Sequence, residues 1–220
     1  EADLPEADDP AAAAGAEPPT VRSSAERLLA EGIADSMAGH TASALGSMTS
    51  AVSIVESLGP SPIAGDSPAA LTALLALNCG EFATAQSVLE QGMRAQIGGA
   101  AASARHQLIL AWTAMLQGRE QVAREMLADI GESHLVLVGR DDFVASALNL
   151  ALARRAGDTA GMISAWPAAH QAILRHQIDL YSLLPLGELM VAAARLKQSH
   201  RLAPALASAL AMTQGVGRPK

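Results

Sequence analysis

The chain has 220 residues, with 48 alanines and 29 leucines against only 27 Val, Ile and Thr together, a balance that favours helix over sheet. Aromatic residues make up 2% and cysteine occurs once, which excludes a β-sandwich, an aromatic nucleic-acid platform, a disulfide framework and a cysteine-rich zinc module. The net charge of −7 is uneven, with six acids and no Lys or Arg in residues 1–20; the near-neutral remainder is unsuited to a phosphate backbone, and no apolar run approaches the roughly 18 residues of a membrane span.

Residues 1–20 also hold four of the eleven prolines and almost no large apolar side chain. Such a stretch cannot bury enough surface to offset its ordering entropy, so it reads as a disordered acidic Ala/Pro-rich linker ahead of a folded domain over 21–220. It lacks the charged start and apolar core of a signal peptide, so the expected location is cytoplasmic. The expected setting is a piece of a longer protein or a processed product.

The first helix is expected to open at a capping box, Ser23 with Glu26, and to carry Leu28, Leu29, Ile33 and Met37 up to Gly39. A second runs from Thr41 with Leu45, Met48, Val52, Val55 and Leu58 on one face, and Gly59-Pro60 stops it. After a loop to Asp66, Ser67-Pro68 is an N-cap followed by proline at the first helical position, launching Leu71, Leu74, Leu75 and Leu77.

Further along, the helix ends fall into phase. Gly39, Gly80, Gly118 and Gly157 each follow an apolar helix and precede another, and Ser199 stands as a degenerate fifth marker. The spacings are 41, 38, 39 and 42 residues. A period of about 40 with this punctuation predicts an all-α solenoid of antiparallel helix pairs. The glycine permits a left-handed C-cap, and a small residue five positions on lets the paired helices approach closely. Trp166-Pro167 is expected to interrupt the second helix of its pair, since proline removes an amide donor.

The turn chemistry resembles the tetratricopeptide family, best at Gly80, Glu81, Phe82 and Ala85, and less closely at Gly118 with Ala123 and Gly157 with Asp158. The period is longer than that family's, and its aromatic positions are mostly aliphatic. Longer, looser repeats of this kind look like the sensor domain of MalT-type regulators, and the segment Asp179–Leu196 is similar to the solenoids of LuxR-family transcription regulators. This resemblance spans about residues 23–212. It implies an effector-sensing domain attached to an NTPase module and a helix-turn-helix module; the chain itself has no G-x-x-x-x-G-K-[ST] loop and no basic recognition helix.

No catalytic constellation is present in the sequence. There is no H-E-x-x-H, and His170 and His176 lie six apart on different faces of one helix. Cys79 reads as a small buried hydrophobe, and Asp141-Asp142 as helix-capping acids. The chain is therefore expected not to be an enzyme, with no cofactor, no metal site, no membrane span and no direct nucleic-acid binding.

In tetratricopeptide-like repeats the first helix of each pair lines the concave groove, which places Arg105, Leu108 and Trp112, then Val144, Ala147, Ala151 and Arg154, on the inner face. Polar groups interleaved with aromatics suit a small-molecule pocket. The candidate ligand-binding residues are Arg105, Trp112, Trp166, His176, Asp179, Tyr181 and Glu188, with a sugar as favoured effector because a flat ring covers its C–H face and carboxylates accept from its hydroxyls. The alternative is an interaction scaffold receiving a peptide or partner helix in its concave groove.

Overall fold

A computed structural model describes residues 20–60, 66–133, 137, 139–176, 179 and 182–214. The linker expected over residues 1–20 therefore lies outside the described residues except for Thr20. Ten α-helices occur among the described residues: α1 (Val21–Met37), α2 (Thr41–Ser57), α3 (Pro68–Asn78), α4 (Phe82–Arg94), α5 (Gly99–Leu116), α6 (Glu120–Glu132), α7 (Arg140–Arg155), α8 (Thr159–Arg175), α9 (Leu183–Arg195) and α10 (Ala203–Gln214). No strand is formed among them, so the fold is all-α.

Five helix ends share one turn. The residues after them, Gly39, Gly80, Gly118, Gly157 and Lys197, all have positive φ, between 57° and 84°. In each case the next residue donates its amide to a carbonyl five residues back: His40 to Asp35, Glu81 to Ala76, Arg119 to Ala114, Asp158 to Ala153 and Gln198 to Ala193, at 2.7–3.0 Å. This is the hydrogen bond of a Schellman end, which satisfies carbonyls that the helix leaves unpaired. The fifth turn is thus centred on Lys197, two residues before the expected Ser199, which instead opens a short 3-10 turn over Ser199–Leu202. A non-glycine residue in that region costs roughly 1–2 kcal/mol, and Leu202, 1% exposed in the core, is the packing gained by turning there.

After each turn the chain buries the same positions. Ala44, Ala85, Ala123, Met162 and Leu202 lie five residues on, and Ala51, Gly92, Ile130, Ala169 and Ala209 twelve on, all buried. Where the residue is small the helices close up: a Cβ on Gly92 would stand 2.8 Å from Ala69 Cβ and 3.1 Å from His106 Cε1. In sequence order α1 packs on α2, α3 on α4, α5 on α6 and α7 on α8, while α3, α5, α7 and α9 also pack on one another in succession. The largest apolar cluster joins Trp112, Phe143, Leu148, Trp166, Leu186 and Leu189. Burying each such side chain stabilises the fold by roughly 1.5–3 kcal/mol before entropy is set against it.

Three further expectations change. The cap of α1 is Thr20, whose side chain accepts from Ser23 N, so Ser23 lies inside the first turn. Helix α8 runs through Pro167 without a break; the missing amide bond is outweighed by burial of Met162, Trp166, Ala169, Ala172 and Ile173 along the same helix. Cys79 is exposed, because it is the C-cap residue where the chain leaves α3 for the turn. The Ser67 cap stands as expected, its Oγ accepting from Ala70 N at 3.1 Å.

Candidate functional site

The N-terminal ends of α3, α7 and α9 and the first half of α5 meet along one edge of the molecule, and a chain of alternating charges joins them. Asp66 immediately precedes the Ser67 cap of α3, and its Oδ1 accepts from Arg105 Nη1 at 2.5 Å and from Arg140 Nη1 at 2.6 Å. Arg105 also grips Asp141 with two parallel bonds, Nε to Oδ1 at 2.8 Å and Nη2 to Oδ2 at 3.1 Å. Arg140 Nε reaches Asp179 Oδ2 at 2.7 Å. Asp179 is held in turn by Ser182, whose amide and hydroxyl donate to its Oδ1 at 3.0 and 2.8 Å.

These five charged side chains are 14–29% exposed, sheltered enough for pairing to outlast ordinary surface screening yet still wet on one side. The planar guanidinium of arginine suits this duty, because it can serve two carboxylates at fixed angles. Asp141 and Asp142, expected as caps, lie in the first turn of α7 behind the N-cap Gly139; Asp141 spends both oxygens on Arg105.

Beneath the charges lies an apolar cavity of about 20 Å³, lined by Leu74 and Leu77 of α3, Leu108, Ile109 and Trp112 of α5, Val144 of α7, and Leu184 and Pro185 of α9. Arg105, Arg140 and Asp141 stand at its rim. Such a space holds about one water. Leu184, in the first turn of α9, packs against the apolar cluster that joins α3, α4 and α5. Trp112 is 1% exposed and donates its indole N–H to Val144 O at 3.2 Å, which fixes the ring between α5 and α7.

Among the residues expected to bind a ligand, Arg105 and Trp112 border this cavity, whereas Trp166, His176, Asp179 and Glu188 are not among its lining. Asp179 belongs to the ionic chain above it. His176 stacks on Phe143 with ring centroids 5.9 Å apart, and its Nε2 lies 3.8 Å from Asp179 Oδ2. Trp166 is buried on α8, stacked on His170, and its indole N–H has no hydrogen-bond partner among the described residues. Glu188 binds Arg154, Nε to Oε2 at 2.8 Å, and Arg155, Nη2 to Oε1 at 2.9 Å, tying α9 to the far end of α7. Tyr181 lies outside the described residues. The expected set is therefore divided among one cavity rim, a stacked histidine, a buried tryptophan and a second ion-pair cluster.

Reading the sequence missed Asp66, Arg140, Leu184 and Pro185, whose partners lie on other helix pairs. It also missed His106, which is wholly buried, with Nε2 2.6 Å from Ser67 Oγ. Burial first, and the Arg105 charge second, lower the pKa of this histidine from 6.5 to about 4. It is neutral at physiological pH and joins the α3 cap to α5.

A second concavity, about 690 Å³ and open to solvent, runs between α6 and α8 over the outer face of α7. Its lining is mostly small residues, among them Ala145, Ser146, Ala153 and Gly161, together with Asn149, Arg124 and Asp158. No group of three or more His, Cys, Asp or Glu is placed to hold a metal ion among the described residues. No described helix is long and apolar enough to cross a membrane. No protein-family model, curated protein or solved structure matches this chain.

Proposed function

We propose that the chain is a tetratricopeptide-like helical-repeat sensor domain of a LuxR/MalT-type transcription regulator, whose effector enters the groove between α3, α5, α7 and α9. The observation that carries this reading is the ionic chain Asp141–Arg105–Asp66–Arg140–Asp179, which spans the first helices of four successive pairs at the rim of an apolar cavity. The closed cavity holds only about one water, so a molecule seated there must part the helices around it, altering the registration of four helix pairs at once, which is what a sensor needs in order to bias attached NTPase and DNA-binding modules. The apolar walls and paired arginines suit a small molecule with an apolar body and one anionic group, which would compete with Asp66 or Asp141 for a guanidinium. Sugars need more hydrogen-bonding groups than the walls offer, so this chemistry displaces the carbohydrate favoured by sequence.

The test is a thermal-shift screen with sugars, nucleotides, short peptides and small apolar carboxylates, because a ligand of the native state raises the midpoint by mass action. Stabilisation by an apolar carboxylate that is lost in Arg105→Gln supports the reading. A library in which only peptides stabilise the chain would overturn it. The second reading, an interaction scaffold, rests on the open groove between α6 and α8, whose small-residue lining suits a partner helix.

A further inference from the structure

Helix α7 receives α9 on one face. Ten, seven, six and two residues before its turn residue, Gly157, stand Ala147, Leu150, Ala151 and Arg155, a single stripe at helical spacing. The three apolar residues are buried in one cluster with Leu186, Leu189 and Ala193 of α9. Arg155 works in two directions. Its Nη1 lies 3.5 Å from Met115 O of α5 behind it, and its Nη2 donates at 2.9 Å to Glu188 Oε1 of the helix laid on top. The contact is thus an apolar stripe closed at its C-terminal end by an arginine that takes a carboxylate from the incoming helix.

Helix α9 repeats this stripe and leaves it uncovered. At the same offsets from Lys197 stand Gly187, Met190, Val191 and Arg195, all exposed, Met190 by 42% and Val191 by 45%. Arg195 makes the backward half of the same contact: its Nη1 meets Arg154 O of α7 at 3.3 Å, and Arg154 stands three residues before Gly157 as Met115 does before Gly118. The forward half is missing, since no carboxylate among the described residues pairs with Arg195. None of these four residues lines the apolar cavity, so the face stands whether or not an effector enters the groove.

We propose that this face of α9 is a docking site for an amphipathic helix of a partner protein, laid on α9 as α9 is laid on α7. Its aliphatic residues cover Met190 and Val191, Gly187 lets the two backbones approach, and one carboxylate, placed as Glu188 is, takes the free side of Arg195. A second copy is the poorer occupant. Among the described residues, α6 exposes Glu125, Asp129 and Glu132 with a single large apolar side chain, Val122, and on α1 Glu31 is already paired with Arg27 at 2.5 Å.

A stapled peptide of residues 182–196 serves as the probe, because it carries Leu186, Glu188, Leu189 and Ala193 in the required register. Met190→Lys and Val191→Lys in the peptide remove its own docking face. Fluorescence anisotropy with the full chain should show saturable binding, at least about tenfold weaker with the Met190→Glu/Val191→Glu chain. A peptide with Glu188→Arg should bind the parent about tenfold less well and recover on the Arg195→Glu chain. The altered positions of the chain are exposed, so its variants should melt like the parent; if Met190→Glu/Val191→Glu does not, Met190→Gln/Val191→Thr replaces it. Absence of binding to the parent, or no recovery on charge exchange, would overturn the proposal. So would equal binding to the Met190→Glu/Val191→Glu chain, the result expected of a peptide that displaces α9 from α7. A parent dimer in sedimentation velocity that Met190→Glu/Val191→Glu disperses would overturn it as well, by making a second copy the occupant.

Discussion

Acidification from pH 7.5 to 4.5 should reveal His106 as the group that ties the α3 cap to α5. Its ring is wholly buried between Ser67 and Gly92, and its pKa falls from 6.5 to about 4. The unfolded chain keeps the ordinary value, so between these limits the unfolded state binds more protons and stability falls as pH falls. The contribution is fully present above pH 6.5, and each unit of separation is worth about 1.4 kcal/mol, giving a total near 3 kcal/mol by pH 4. About 1 kcal/mol of it is lost between pH 7 and 5.5. The assay is urea unfolding at several pH values for the parent and for His106→Gln, which keeps an amide in reach of Ser67 without a titrating ring. Carboxylates shared by the two chains cancel in the difference. The variant should be the less stable at pH 7.5, with the gap closing toward pH 4.5. A gap that stays constant across the range would refute the assignment.

Gly92→Ala should cost about 1–3 kcal/mol in chemical unfolding, because the new methyl meets Ala69 and the His106 ring; a neutral change would contradict the close approach of α4 to α3 and α5. Gly118→Val should lower the melting midpoint by backbone strain alone, since φ is +77° and nothing lies within 4 Å of a Cβ there. Lys197→Gly should raise stability by about 0.5–1 kcal/mol by relieving the same strain, and a loss on urea unfolding would argue against the left-handed fifth turn. Trp112→Ala should cost about 3–5 kcal/mol without ligand, judged by urea unfolding, because the side chain is buried and hydrogen-bonded to Val144.

The turns were legible in the sequence because glycine declares a left-handed helix end locally, as at Gly39, Gly80, Gly118 and Gly157. Lys197 carries no such signal, and the repeat spacing led instead to Ser199, two residues further on. The inner face of α5 was legible too, since Arg105, Leu108 and Trp112 share a helical stripe and all border the cavity. The ionic chain was not, because Asp66 lies 39 residues from Arg105 and 74 from Arg140, and no local pattern couples charges at that range. Pro167 misled for the opposite reason: a local rule was overridden by tertiary burial along α8. Trp166 and Glu188 looked like pocket residues by type, but each has its own role, one packed in the core and the other paired with Arg154 and Arg155.

Tryptophan fluorescence reports whether an effector enters the groove between α3, α5, α7 and α9. The chain has two tryptophans, and only Trp112 borders the cavity. Trp166→Phe leaves Trp112 as the sole reporter, and Trp112→Phe leaves Trp166. A compound that enters the groove and raises the melting midpoint should also shift or quench Trp112 emission in the first variant, with the same concentration dependence. A compound that stabilises the chain while changing only the emission of Trp166 would contradict entry into the groove.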